Sequence, residues 1–455
     1  MRGTTAFSPF GETIGLKRNL EAPSPNPLPE GRGLQPTVTI ENWKSNDVSP
    51  TPYMILRGRS GGDQISINGV SFPVRDGRFI GLAELKSGAN HVQVGDATLS
   101  ITYRALPGPY VVQTHFAYGS DELPVFDDGK GGRSGDYEGR IDVGLKLIQA
   151  LSAEMMNDAG YGRKTFALQF NSQGKVAVQA WKLPETGEGM RKISGNDAWS
   201  KIYGWLGQKG DNKYLKHCVI AGYSQWDPKT KTAPGHTALG GGYLGLFGSS
   251  SLYTWPSSFA EIPKTFGNAT KMSEFIGLDD SAYRGTVWGS AATTLGATLH
   301  EMGHTFGLPH SDDPLCIMTR GFDRVNRQWV IEEPGTPPVI TEPGNRARWC
   351  KPWAALLNLS PWYQRDEPKS GQGPRASFNK ETDKIEVSAP AGAKLIIGWK
   401  DDHKIWFKEF PSAPKSLQWS RKEILDTVNS EQDFGLMVVD ANGARTDIRV
   451  PGKKQ

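Results

Sequence analysis

Cysteine is scarce in this 455-residue chain: Cys218, Cys316 and Cys350 are the whole set. A set so odd and sparse gives no disulfide framework, although a single bridge stays open, and none has the C-x-x-C spacing of a thiolate metal site. They read as small buried thiols. No run of 18 apolar residues exists, so no helix is expected to span a membrane. An excess of one charge is also missing. Against 48 Asp and Glu stand 52 Lys and Arg, a net +4 with no basic arm, so nucleic acid is not an expected partner. The first 35 residues lack the apolar core of a secretory signal. They are rich in Pro, Gly and Ser, have no periodicity, and are expected to be disordered. A start site assigned upstream of the folded protein would hide a true signal, so this absence leaves location open, secretion or the periplasm included. What is present is enough apolar and aromatic material, 37% and 10%, to bury a large core in two or three domains.

Histidine is rare too, 8 in all, yet three fall within one short string, HEMGHTFGLPH at 300–310. The string lies in an apolar, helix-compatible segment that begins near Ala291. Residues four apart stack on one face of an α-helix, so His300 and His304 can offer both imidazoles to one ion. Glu301 falls on the neighbouring flank, where a carboxylate can reach a water without binding the metal. Gly307 can adopt φ > 0 and end the helix with a left-handed cap. Pro309 discourages a return to helix, and His310 arrives as a third nitrogen ligand. Three protein ligands with a fourth position left to water describe a catalytic zinc site rather than a structural one. Two histidines four apart are often just partly buried polar residues. The full string, with its Glu and Gly, is much more specific.

The string resembles the signature of the metzincin clan of zinc peptidases, H-E-x-x-H-x-x-G-x-x-H, at every fixed position. Met318, eight residues after His310, matches the methionine turn of that clan, and Ser311 is similar to the residue matrixins carry there. The resemblance implies that Met318 forms an apolar floor under the zinc. It also implies a strand that borders the cleft and pairs with substrate through its main chain. The Gly-rich stretch 235–248 is the candidate for that edge, with His236, Gly240, Gly241 and Gly242 as candidate substrate-binding residues. For His236 an ordinary loop role is the plainer reading. Arg320 stands where astacins and serralysins place a tyrosine, so no fifth ligand is expected, and an ion pair is its plainer role. With ALGGG at 238–242, LYTWP at 252–256 and IMTRGFDRVNR at 317–327, residues 108–365 are similar to a little-characterised zinc peptidase family of fungi and bacteria.

Elsewhere the pattern is mostly β. Short alternating runs at 64–67, 70–74, 91–94 and 99–103 are punctuated by Asn68-Gly69, Asp76-Gly77 and Ser87-Gly88. They look similar to the small β-sandwich modules attached to bacterial hydrolases. Strands are predicted at 110–118, 165–170, 175–182 and 218–223. An amphipathic helix is predicted at 142–157, with further helices at 197–206 and 351–358. Beyond a polar linker at 366–375, strand-like runs at 384–387, 394–399, 404–407, 435–439 and 446–450 surround a helical interruption near 421–427. The expected architecture is an α/β (α+β) metzincin-like zincin catalytic domain at 108–365. β-Sandwich-like accessory domains at 36–105 and 376–452 flank it, after the disordered segment 1–35.

The implied chemistry is a zinc-dependent endopeptidase. One Zn2+ held by His300, His304 and His310 activates a water, and Glu301 is the general base. A protein or peptide is the expected substrate. The accessory domains are candidates for binding glycan or surface material, although a spacer role is commoner. Two other readings use the same residues: a non-catalytic binding or adhesion protein on a zincin scaffold, and a zinc amidase or deacetylase acting on a non-peptide amide. The retained Glu301 weighs against the first of these.

Overall fold

A computed structural model of the chain describes residues 38–210, 212–364, 371–400, 405–428 and 433–452. The segment 1–35 expected to be disordered, and positions 366–370 of the predicted linker, lie outside the described residues. The fold is mixed α/β with several sheets.

The first eight strands, from Thr39–Ile40 to Ala97–Tyr103, hydrogen-bond into one continuous sheet. Local chemistry sets two of its hairpins. Asn68 and Gly69 have φ of 48° and 83°, and Asp76 and Gly77 have 51° and 70°. Two central residues at positive φ make the tight turn whose twist matches the flanking strands. Ile67 therefore pairs with Val70, and Arg75 with Arg78. That register turns Ile65, Ile67, Phe72, Val74 and Phe79 into the core.

A five-stranded sheet follows, in the order Val178–Lys182, Val111–Tyr118, Leu215–Ala221, Leu244–Gly248, Ala238–Gly241. The first four strands are parallel and the last, at the edge, is antiparallel. Parallel neighbours need a crossover; the helices Tyr137–Asp158 and Gly195–Gln208 lie in the first connections, while the one from Leu215–Ala221 to Leu244–Gly248 passes through the edge strand. The strand predicted at 165–170 does not form, and only isolated bridges at Leu168 and Phe170 occur. Its backbone still bonds to Val112 on one side and Ala177 on the other, but the run stops at Phe166, whose carbonyl accepts instead from the Gln149 amide at 2.9 Å. The next predicted strand is shortened to Val178–Lys182, because the Val176 N–H donates to Asp142 at 2.7 Å instead of to a ladder.

The helix predicted at 142–157 runs Tyr137–Asp158, and its burial differs from expectation. Rather than one apolar face, nearly every residue from Ile141 to Met156 is buried, Asp142, Lys146, Gln149 and Glu154 included. The polar ones are internally paired: Lys146 with Asp142 at 3.0 Å, and Arg163 with Glu154 at 2.5 Å. A helix covered all round belongs to the interior, here between the N-terminal strands and the helix Val287–Thr305.

Three- and four-stranded sheets complete the chain, with strands from Arg375–Asn379 to Arg445–Val450 around a shared core of Ile385, Ile396, Trp419, Phe434 and Leu436. The strands Arg375–Asn379 and Ser416–Ser420 escaped the sequence because their apolar content is too low to mark a period. All three cysteines are buried and free.

A buried imidazole pair lies inside the five-stranded sheet. His115 Nε2 is 3.0 Å from His217 Nδ1, and His217 Nε2 is 2.8 Å from Asn212 Oδ1. Burial, with the neighbouring ring and Lys209 as lesser causes, lowers His115 to about 3; burial, Lys209 and Lys216 lower His217 to about 4. Both folded values lie below the unfolded one. The native pair therefore stays neutral while the unfolded chain takes up protons as the pH falls below about 6.5. Each histidine should remove stability at about 1.4 kcal/mol per pH unit between there and its folded value. Urea melts of the parent and His115→Gln from pH 7 to 4.5 should differ in slope by roughly that amount. Parallel slopes would mean that the pair is not buried neutral.

Candidate metal centre

The site is built on the helix Val287–Thr305, which Thr286 caps by accepting from the Gly289 N–H at 3.3 Å. At the other end Gly307 has φ of 84°. The Leu308 N–H returns to the Gly303 carbonyl at 3.1 Å, and the Gly307 N–H to His304 at 3.0 Å. This pair of bonds is a Schellman cap and reverses the chain as the glycine suggested. The reversal carries His310 back beside the helix.

The three imidazoles converge. One ring nitrogen from each of His300, His304 and His310 lies within 4.8 Å of the others. His300 Nδ1 donates to the Ile317 carbonyl at 2.7 Å, and His304 Nδ1 to the Leu308 carbonyl at 2.9 Å. A carbonyl only accepts, so both rings carry their proton on Nδ1 and turn an Nε2 lone pair inward. These two Nε2 atoms are 3.1 Å apart. Facing lone pairs at that distance repel unless a cation lies between them. Tetrahedral zinc with Zn–N near 2.0–2.1 Å would hold two such nitrogens about 3.3 Å apart. The donor set fits zinc. Burial, with His304 as a lesser cause, lowers His300 to about 3, which keeps it a neutral ligand. His300 is buried, His304 half-buried and His310 exposed, so the site opens on the His310 side.

Glu301 is 7% exposed, and burial raises its carboxyl to about 8. Met318 is fully buried, and a methyl added at Gly303 would overlap its sulfur. The methionine thus packs under the helical turn between the first two histidines. Its turn is tied to the segment after His310: Ser311 N donates to Met318 O at 3.1 Å, and Thr319 Oγ1 donates to Ser311 O. Arg320 forms the expected ion pair, with Asp323 at 2.8 Å.

Strand Ala238–Gly241 is the outermost of its sheet, and no strand among the described residues covers its outer side. The three glycines differ in role. Gly240 lies so close to the histidine helix that a Cβ would overlap the Glu301 carbonyl. Gly242, at φ of 55°, makes the two-residue turn to Leu244. Gly241 has only Trp199 nearby, at 3.7 Å from where a Cβ would stand. His236 does not join the histidine cluster. Its Nε2 is 3.7 Å from Asp280, and its ring meets Phe247 edge-on at 5.3 Å. Sequence reasoning missed Phe322, whose ring meets His300 edge-on at 5.2 Å with Arg320 stacked beyond it. It also missed the two carbonyl acceptors, since a backbone oxygen has no letter in the sequence.

Residues 58–386 match the model of the Metallopep family, described as "Putative peptidase family". A Schizosaccharomyces pombe protein named as a putative zinc metalloproteinase is 25% identical over 466 aligned residues, covering 90% of this chain and 74% of that one. A Saccharomyces cerevisiae protein with the same description is 37% identical over 114 residues, 24% of this chain and 16% of that one. Among solved structures, OgpA from Akkermansia muciniphila, inactive and in complex with an O-glycopeptide, superposes with a TM-score of 0.47 at 17% identity. That superposition covers 75% of this chain and 92% of OgpA.

The contact between Gly303 and Met318 can be tested by a double-mutant cycle. Gly303→Ala should cost about 1–3 kcal/mol through overpacking, and much less in a Met318→Ala background, where the sulfur is gone. Equal costs in both backgrounds, measured by urea unfolding, would separate the methionine from the histidine turn.

Proposed function

The chain belongs to the peptidase family whose model spans its residues 58–386, and from that premise we propose that it is a metzincin-type, zinc-dependent endopeptidase. One observation carries this reading: three imidazoles share one point, two of them with Nε2 lone pairs turned inward by Nδ1–H bonds to carbonyls. His300, His304 and His310 would hold zinc, which when bound supplies the Lewis acidity that polarises a scissile carbonyl and acidifies water.

The remaining chemistry belongs to the chain. Glu301 takes a proton from the attacking water on its carboxylate and passes it to the leaving amine. Its burial favours the protonated form. Beside a dication that preference weakens, so the carboxylate can both receive and return a proton near neutral pH. The Ile317 and Leu308 carbonyls hold the His300 and His304 rings in one tautomer throughout. Substrate lies along the outer edge of Ala238–Gly241, where Gly241 leaves the backbone accessible. The N-terminal strands and the C-terminal sheets act as accessory domains, as their separate positions along the chain suggest.

Glu301→Gln should retain metal and lose cleavage of denatured casein by about 10²–10⁴-fold, the range of a general base. His304→Ala should lose the metal itself. Metal analysis beside the cleavage assay distinguishes the two outcomes. Parent-like cleavage by Glu301→Gln would sink the mechanism. A zinc-loaded parent that cleaves no member of an unbiased peptide library would turn the reading toward an amidase or a binding protein.

A further inference from the structure

The edge strand Ala238–Gly241 has two faces, and a different helix packs on each. Gly240 is pressed on the histidine helix at Glu301, and its partner Gly245 meets Met302. Side chains alternate along a strand, so Leu239 and Gly241 belong to the opposite face. Their partners Leu246 and Leu244 are buried in one core with Ala198, Ile202 and Leu206 of the helix Gly195–Gln208. A Cβ on Gly195 would stand 3.7 Å from Leu239, and one on Gly241 would stand 3.7 Å from the Trp199 ring.

The backbone of the strand alternates too. The Gly248 N–H donates to the Thr237 carbonyl at 2.8 Å. In an antiparallel pair residues 237, 239 and 241 therefore bond inward, and Ala238 and Gly240 turn their N–H and C=O outward. A peptide added at this edge bonds to Ala238 and Gly240. Its residue opposite Gly240 points toward the histidine helix, and its residue opposite Gly241 points toward Trp199. Opposed Cβ positions are about 4.5–5.5 Å apart. Gly241 puts no side chain of its own in between, so the incoming side chain meets the indole.

Trp199 is half-buried and fixed from behind. Its indole N–H donates to the Leu244 carbonyl at 3.4 Å. Its ring stacks on Tyr203, one helical turn on, with centroids 4.8 Å apart, and Tyr203 stacks on Tyr243 at 3.8 Å. The Tyr243 hydroxyl closes the stack by donating to the Tyr203 carbonyl at 2.8 Å. Nearby charges on the helix are already engaged, Asp197 by the Ser194 hydroxyl at 2.8 Å and Lys201 by Glu185 at 2.9 Å. A ring held this way loses little freedom when a ligand covers it.

We infer that Trp199 is a specificity-determining residue, the floor of a subsite for an aromatic or large aliphatic substrate side chain opposite Gly241. The inference rests on the peptidase reading and adds a substrate class to it: extended peptides with one such side chain at a fixed distance from the scissile bond.

The test is digestion of an unbiased peptide library by the zinc-loaded full chain, with products read by mass spectrometry. The parent should enrich Phe, Tyr, Trp, Leu or Met at one position fixed relative to the cleaved bond. Trp199→Ala should lower the preference for Phe over Ala there about tenfold, and Trp199→Phe should restore most of it. Gly241→Leu adds a side chain over the indole and should lower the same preference with Trp199 in place. It carries the test if Trp199→Ala fails to fold. In the Glu301→Gln background, calorimetry of one Phe-containing library peptide and its Ala counterpart should give Kd values about tenfold apart. Adding Trp199→Ala should bring the two values together. Matching profiles from the parent, Trp199→Ala and Gly241→Leu would refute the subsite and leave the peptidase reading standing. A preference for Lys or Arg that disappears in Trp199→Ala would overturn the apolar assignment. A zinc-loaded parent that cleaves nothing would remove the peptidase reading, and the subsite with it.

Discussion

Two hydrogen bonds determine whether the three histidines can work as one site: those from His300 Nδ1 to Ile317 and from His304 Nδ1 to Leu308. Each selects a tautomer, and together they set two lone pairs against each other at 3.1 Å. The acceptors come from different parts of the chain. Leu308 is delivered by the Gly307 reversal, and Ile317 by the turn that contains Met318. The same reversal brings His310, so one left-handed glycine serves both the cap and the third ring.

The surroundings make that arrangement costly for charge. The helix is buried from Val287 to Gly303, with Gly240 of the edge strand pressed on its backbone at Glu301 and Met318 pressed on it at Gly303. Burial drives the His300 and Glu301 side chains toward their neutral forms. For the histidine that means a ligand ready to bind without first losing a proton. For the carboxyl it means a proton held loosely enough to move once a positive charge lies nearby. The two opposite shifts have one physical origin, and it suits the proposed hydrolytic chemistry.

The flanking sheets are joined to this centre by specific contacts. Arg75 meets Glu332 and Arg78 meets Glu342 across the N-terminal seam. From the C-terminal sheets, Arg445 reaches the Gly307 carbonyl at 3.1 Å, on the very turn that caps the histidine helix. The C-terminal flank therefore touches the cap of the histidine helix directly, at the Gly307 carbonyl.

The sequence alone determined what short-range geometry can express. His300, His304 and His310 lie within one helix and one turn, so spacing was enough to predict their convergence. Asn68-Gly69 and Asp76-Gly77 announced hairpins because few residue pairs tolerate two positive φ angles in succession. Only the tertiary structure decided the rest. Which carbonyls orient the rings, why Phe166 bonds to Gln149 rather than to a neighbouring strand, and why the helix Tyr137–Asp158 is buried on every side all depend on groups distant in sequence. Periodicity records which way a residue faces; it does not record which partner awaits it there.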